Sequence, residues 1–403
     1  MAAALLTSQP VRLKNVPRVT DTELMGDIIV ALGGSREGTG TVDIDAGAAQ
    51  SSHVPDELGR RMRATILLLG ALIGRFHRAR VPKPGGDDIG ARRVEQHLRG
   101  LRQMGARIQE TETELVAEAD RLRGARIMFD LPTVTGTENI LLAAVLAEGR
   151  TEIFNAAREP HVQDLCTFLT KMGARIDGVG SERLVVEGVR ELRGAEHTVI
   201  PDYLEAGTYA LAVAATGGEL RLACSRPEDL NIVLLKLEQA GAHVEAGEGW
   251  FRVGRRRGTP IRPTDMSTWP YPGFPTDLQA QYMAFMTQAE GEAVISEYVH
   301  ENRFQHVTQL AKMGADITVE GRLHAFVHAP CRLKGTTLAI PDIRSGAALV
   351  IAALCAEGES VLRHAWHVQR GYEDMVGKLT SVGANIQSAT VGSAAEDSSE
   401  TYE

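Results

Sequence analysis

The chain has 403 residues, 43% of them apolar and 24% charged, and its 43 Lys and Arg against 52 Asp and Glu give a net charge of −9. That length exceeds one ordinary core and predicts two or three domains. The apolar content excludes a disordered or collagen-like chain, and the acidic balance excludes a general coat for nucleic acid.

The chain opens on Met1 to Leu6, an apolar stretch with no basic flank, which reads as the middle of a helix rather than as a signal peptide. From there one pattern recurs. A helix-like segment closes on an apolar residue and a Gly, then passes into a short strand: ALGGS, QMGARI, KMGARI, QAGAHV, KMGADI and SVGANI. The glycines are Gly33, Gly105, Gly173, Gly241, Gly314 and Gly383, at intervals of 72, 68, 68, 73 and 69 residues. Gly at that point ends a helix in the left-handed conformation without a Cβ clash. Ahead of each glycine runs a second marker, a small-residue apolar helix, a turn and a strand. Its clear copies are LLAAVLAEGRTEI, LAVAATGGELRL, MTQAEGEAVI and VIAALCAEGESVL, with MAAALLTSQPVRL and LLGALIGRFHRARV as looser versions.

Alternation after each turn, as in Thr151 to Phe154, predicts a strand with one buried face. The small-residue helices pack inside, and amphipathic ones such as Val94 to Met104 lie outside. Each unit is then helix, strand, helix, strand and a further strand, and six units make two groups of three. The expected division is 1–200 and 201–386, followed by a disordered acidic tail at 387–403. The first unit lacks the strand and turn that precede the small-residue helix elsewhere, a shortfall on the order of 20 residues. Arg255, Arg256 and Arg257, between Gly254 and Gly258, read as a solvated hairpin turn.

Near the front, no apolar run suggests a bilayer span, and the longest anywhere, Ala347 to Ala356, has ten residues against the ~18 required. Four cysteines without CxxC spacing suggest neither disulfides nor zinc and fit a reducing cytoplasm. The segment most informative about chemistry is Pro84 to His97, PGGDDIGARRVEQH. A Pro-Gly-Gly turn leads through two acids and a third Gly into a helix with two arginines at its start. Such a loop is mobile and lets a ligand approach closely, and the helix start with its arginines can hold phosphate. An exposed turn with Asp87 or Asp88 as N-cap explains the same composition equally well.

The run RMRATILLLGALIGRF, then PGGDDIGARRVEQHLRGLRQMGARI, NAAREP, FPTDLQAQ, ENRF and RGYE, in that order, resembles the UDP-N-acetylglucosamine 1-carboxyvinyltransferase branch of the enolpyruvyl transferase family. The resemblance extends from Met1 to about Ile386. It implies a two-domain inside-out α/β barrel with three repeats per domain. It also implies transfer of the enolpyruvyl group of phosphoenolpyruvate to the 3-hydroxyl of UDP-N-acetylglucosamine with release of phosphate. That would be a cytoplasmic, monomeric step of peptidoglycan precursor synthesis, serving the cell wall, cell shape and division, with no metal or redox cofactor and no nucleic-acid or membrane partner. The sister branch acting on shikimate 3-phosphate carries an N-terminal lysine motif and a Gly-Asn-Ala-Gly-Thr segment not visible here.

Carried onto matching positions, Arg92 and Arg370 would grip phosphoenolpyruvate, Arg63 the nucleotide sugar, and Arg303 and Arg344 the closed cleft. Asp277 of FPTD would accept the proton of the attacking hydroxyl, although Thr276 and Asp277 also read as the cap of the following helix. Arg92, Arg93, Val94, Glu95 and Gln96 match the segment enclosing uracil, with Arg93, Glu95 and Gln96 where the family often has Pro, Asp and Leu. Thr133, Val134 and Thr135 match the segment facing the diphosphate, with Leu131 where some members have Lys, and Val299 would touch the nucleotide sugar through its backbone. Asp87 stands where many members have the Cys that delivers a proton to C3 of phosphoenolpyruvate. A carboxyl doing so near neutrality must be held protonated far above the ordinary ~3.9, which takes ~4 kcal/mol of desolvation and adjacent negative charge. Such a site should resist fosfomycin, an epoxide that alkylates the thiol.

The family's Lys-Asn pair lies upstream of the helix where this chain begins. Lys14 and Asn15 repeat the letters in a strand after that helix and are rejected as the pair. Alternatives are a catalytically impaired paralogue that binds a nucleotide sugar, or an enolpyruvyl transferase for another nucleotide such as UMP. Two crossings between the domains, reduced to one if the leading strand is missing, predict an open form that closes on the nucleotide sugar with Pro84 to Gly90 as lid. His161, where the family has an acid, reads as a helix-start or surface residue.

Overall fold

The computed structural model describes residues 1–389. The third unit displays the repeat in full. Strand Arg126–Met128 leads into the inner helix Val134–Ala144, strand Arg150–Phe154, the outer helix Pro160–Lys171 and the hairpin Arg175–Asp177 with Arg183–Glu187. The first two strands pair parallel (Arg126 opposite Glu152), and the rest antiparallel (Arg183 opposite Phe154, Val185 opposite Asp177). Leu184 and Val186 point into the core between more exposed neighbours, the alternation that a one-faced strand requires.

The two helices of a unit divide the work as their compositions predict. The inner helix Gln279–Met286 is buried at every residue, whereas Pro160–Lys171 buries Val162, Cys166, Phe168 and Leu169 and exposes its other face. Small residues allow the inner helices to meet backbone to backbone. A Cβ on Gly70, in the inner helix Leu67–Phe76, would fall 2.1 Å from the Asn139 carbonyl oxygen of Val134–Ala144. All six outer helices end at the glycines named above, with φ of +98, +97, +107, +103, +96 and +95°, so each occupies the left-handed position past the helix end.

The units gather into two cores. Buried apolar residues from Ala2 to Leu192 form one, and those from Tyr203 to Leu379 form the other. The described chain passes between them once, through 193–202. Strand Glu196–Thr198 turns back beside Val11–Val16 in parallel, with Arg12 opposite Glu196. It fills in the first unit the place that Arg126–Met128 holds in the third. The fourth unit has the corresponding gap: its sheet consists of Gly218–Ala223, Trp250–Arg255 and His243–Gly247 alone.

Two expectations are refined. Arg256 and Arg257 are exposed as the turn reading requires. Arg255, in contrast, reaches back to donate to the Ala214 and Ala215 carbonyls, at 2.6 and 2.9 Å, and caps the inner helix Tyr203–Thr216. Of the expected tail, 387–389 are exposed and irregular, and 390–403 lie outside the described residues. No helix of the described residues is long and apolar enough to cross a membrane.

Candidate active site

The site lies between the two cores, where loops at the inner-helix starts face one another. On the second lobe, Asp277 sits in the 3-10 turn Thr276–Leu278 that opens into Gln279–Met286. Its carboxylate does not cap that turn. It accepts from Arg303 Nη2 at 2.6 Å and Arg344 Nε at 3.2 Å, one guanidinium on each oxygen. Both arginines are themselves fixed. Arg303 is 7% exposed and donates to Thr276 Oγ1 at 3.0 Å. Arg344, in the first turn of Ile343–Cys355, donates to the Tyr372 hydroxyl at 3.1 Å, and that hydroxyl also meets Thr208 and Gln281. Burial works to raise the Asp277 carboxyl, but Arg303 and Arg344 outweigh it and hold it well below the usual carboxylate range. The group is an ionised acceptor at any physiological pH.

The lid closes the opposite side. Residues 83–94 carry no helix or strand and rest on the second lobe. Glu301 accepts from the Ala91 N–H at 2.9 Å, and Gln305 donates to the Asp88 carbonyl at 2.5 Å. Asp87 accepts from Arg370 Nη1 at 2.7 Å. Arg370 also forks onto Asp21, at the start of the first-lobe helix Thr20–Ala31, with Nε and Nη2 at 3.1 and 3.3 Å. Burial of Arg370 opposes its charge, yet Asp21 and Asp87 keep its pKa above the ordinary value. The structure therefore has the loop 83–94 resting on the second lobe; the expected open form is not the one it describes. Asp87 and Asp88 do not cap the next helix, which begins at Glu95 after Val94 without a side-chain cap.

Arg92 lies within electrostatic reach of both sides. Its φ is +38°, and its Nη1 donates to the Asp87 carbonyl at 3.2 Å. Burial lowers its pKa, while Asp87 and Asp277 counter that and Arg303 and Arg370 reinforce it, so one electrostatic site contains all five groups. Arg63 donates to the Arg92 carbonyl; burial and then Arg92 push it down to about 10, still charged at neutrality. His300 is half-buried, and desolvation, reinforced by Arg303, pushes it down to about 4, so it is neutral.

On the first lobe the other matched segments meet. Gln96 accepts from the Asp130 N–H at 2.7 Å and donates to the Leu131 carbonyl at 3.2 Å, tying 92–96 to the loop before Val134–Ala144. Thr133 caps that helix by accepting from Gly136 N. Thr135 Oγ1 lies 3.3 Å from Nε2 of His97, and His97 Nδ1 lies 3.1 Å from the Asn139 amide. Burial pushes His97 down to about 3, so it is neutral, and the amide donor assigns its proton to Nε2, facing Thr135.

Arg63, Arg92, Asp87 and Arg370 are thus linked by contact, as are Asp277, Arg303 and Arg344, and the two groups are close enough for Arg92 to sense Asp277 and Arg303. Glu95, Gln96, Thr133, Val134 and Thr135 flank the site on the first lobe, and Arg93 is exposed at its edge. Val299 has spent its N–H on Glu297 at 2.8 Å, so of its backbone only the carbonyl is left for a ligand. Lys14 pairs instead with Glu196, and Asn15 donates to Val199 O. His161 is exposed in the first turn of Pro160–Lys171 and stacks 6.4 Å from Tyr203. Sequence reasoning missed Asp21, His97, Glu297, Glu301 and Tyr372. Tyr372 and Glu301 stand inside RGYE and ENRF and could have been drawn from those motifs; Asp21 looks like any acid in a first helical turn.

Residues 1–379 match the family model described as EPSP synthase (3-phosphoshikimate 1-carboxyvinyltransferase). The crystal structure of the enolpyruvyl transferase NikO from Streptomyces tendae is similar at a TM-score of 0.87 and 28% identity, covering 96% of this chain and 92% of that one. Two structures of EPSP synthase from Acinetobacter baumannii give 0.70 and 0.72 at 18% identity, with coverage of 95 and 96% of this chain and 93 and 95% of theirs. At that identity they speak for the fold alone, the two-domain inside-out α/β barrel.

Proposed function

This chain belongs to the EPSP synthase family of enolpyruvyl transferases, and we propose that it moves the enolpyruvyl group of phosphoenolpyruvate to the 3-hydroxyl of UDP-N-acetylglucosamine. The observation that carries the reading is the Asp277 carboxylate, held between Arg303 and Arg344 opposite a lid whose Asp87 meets Arg370. Phosphoenolpyruvate brings a carboxylate and a phosphate, and guanidinium forks suit both. Arg92 and Arg370 would exchange their protein partners for those groups.

Asp277 would take the hydroxyl proton as the oxygen bonds to C2, and Asp87, which must first lose Arg370 to the substrate and take up a proton beside its negative charge, would give that proton to C3, leaving a tetrahedral adduct. Loss of a proton from C3 and departure of phosphate restore the enol double bond on the acceptor. Because Arg303 and Arg344 hold Asp277 ionised, it is a ready but weak base, and its basicity rises only as those arginines turn toward substrate. The segment from Arg92 to Gln96, bound through Gln96 to the loop before Thr133, would hold the nucleotide.

A second reading, a nucleotide acceptor such as UMP, is favoured by Leu131. It is 71% exposed where some family members place a lysine, so that position offers no cation to a diphosphate. Phosphate release from phosphoenolpyruvate, measured with UDP-N-acetylglucosamine, UMP and shikimate 3-phosphate in parallel, separates the readings. The first predicts the highest kcat/KM for the sugar nucleotide. A preference for UMP installs the second, and release with shikimate 3-phosphate alone rejects both.

A further inference from the structure

Glu297 is the residue immediately after strand Gly291–Ser296, and it is 0% exposed. A buried carboxylate is costly unless its lone pairs are filled. Here four donors fill them. Oε1 accepts from Thr268 Oγ1 at 2.9 Å, from Val299 N at 2.8 Å and from His300 N at 2.9 Å, and Oε2 accepts from Thr276 Oγ1 at 2.9 Å.

Those donors belong to three different pieces of the cleft. Thr268 follows strand Met266–Ser267 and accepts in turn from Tyr298 N at 2.9 Å. Thr276 immediately precedes Asp277 and receives Arg303 Nη1 at 3.0 Å. Val299 and His300 begin the loop that continues into Glu301, which holds the lid, and Arg303, which holds Asp277. One carboxylate therefore joins the turn carrying the Asp277 carboxylate to the loop carrying its guanidinium partner.

We propose that Glu297 is a positioning residue for the transfer: through Thr276 and the 299–303 loop it sets where Asp277 and Arg303 stand relative to the acceptor hydroxyl. The inference rests on the reading of Asp277 as the group that meets that hydroxyl. An anion suits the task better than an amide. A carboxylate accepts on both oxygens, whereas Gln at 297 presents an NH2 to one side and leaves either Thr276 or the Val299–His300 pair facing a donor. Phosphoenolpyruvate, gripped by Arg92 and Arg370 on other elements, should not sense the exchange.

The test is Glu297→Ala in the full chain, which removes both acceptor oxygens, read in two ways. By hydrogen exchange, the Val299 and His300 amides should exchange at least tenfold faster than in wild type, while amides of the inner helix Ile343–Cys355 keep their rates. By steady-state turnover with whichever acceptor the wild type uses, kcat should fall about 10- to 100-fold with KM for phosphoenolpyruvate within twofold, and Glu297→Asp should recover part of the loss. Unchanged exchange at Val299 and His300 overturns the proposal. So does an unchanged kcat, or a loss spread equally over kcat and both KM values. Should the wild type turn over no acceptor at all, the functional reading fails; altered exchange would then leave Glu297 as the organiser of the loop, and unaltered exchange would remove that as well.

Discussion

Two carboxylates of the site, Asp277 and Asp87, are each clasped by arginine, and they are built in opposite ways. Asp277 and both its partners come from the second lobe, Asp277 and Arg344 at inner-helix starts and the buried Arg303 in the loop before the outer helix His306–Lys312, with Arg344 braced by Tyr372. Asp87 reaches Arg370 only because a loop without helix or strand crosses from the other lobe, and Arg370 shares itself with Asp21. The first cluster lies wholly within the second lobe and draws no hydrogen bond from the loop 83–94. The second cluster exists only when the lid is down. A permanent anion suits a group that receives a proton; Asp87, paired with the Arg370 guanidinium rather than set beside the negative charge that a proton donor requires, can serve as an acid only after phosphoenolpyruvate has taken Arg370 from it.

The widest separation should appear in turnover. Asp277→Asn is expected to lower kcat by ~10³-fold, within the range for a positioned base, checked by phosphate release at saturating substrates. Asp87→Asn should cost ~10²-fold in the same assay while leaving binding of the acceptor alone unchanged. If the acceptor affinity of that variant falls instead, the lid aspartate belongs with the permanent cluster and the contrast is lost.

The hinge of the contrast is Gly90, at φ +126°, where a Cβ would fall 2.6 Å from the Glu301 carboxylate. Gly90→Ala should unseat the lid and lower kcat about tenfold, with a melting midpoint within ~1 °C of wild type by calorimetry. The smallest effects lie in stability. The folded pKa of Asp277 is below its unfolded value, so its contribution is complete above the ordinary carboxylate range and is lost as pH falls through the folded value. Asp277→Asn should therefore be less stable than wild type at pH 7 by ~1–2 kcal/mol, a discounted figure for a partly solvated pair, and the gap should close as pH drops below about 4. Denaturant titrations at several pH values check this; Asp87→Asn, which breaks a pair whose side chains are only 14 and 10% exposed, should cost a comparable ~1–2 kcal/mol at pH 7.

The repeat was legible because its signal is local. A glycine forced into φ near +100° at the end of each outer helix can be seen one unit at a time, and the small-residue helices announce their burial by composition. The arginines and Asp277 were legible only through motif order, since nothing local distinguishes Arg303 from a surface arginine. Asp21 and Glu297 escaped both routes. Asp21 earns its place through a partner 349 residues away, and Glu297 looks like the polar end of a strand until Thr268 and Thr276 are folded against it. Arg255 was misjudged for the same reason: the carbonyls it caps lie 40 and 41 residues upstream.

The claim beneath all of this is that guanidiniums from both lobes hold one small phosphorylated enol acid. Arg92→Ala and Arg370→Ala remove one from each lobe, and the KM for phosphoenolpyruvate measures each loss. Both variants should raise it by ~10- to 100-fold, as expected for losing a hydrogen-bonded charge pair. A KM within twofold of wild type in either one would mean that the two arginines do not share a ligand.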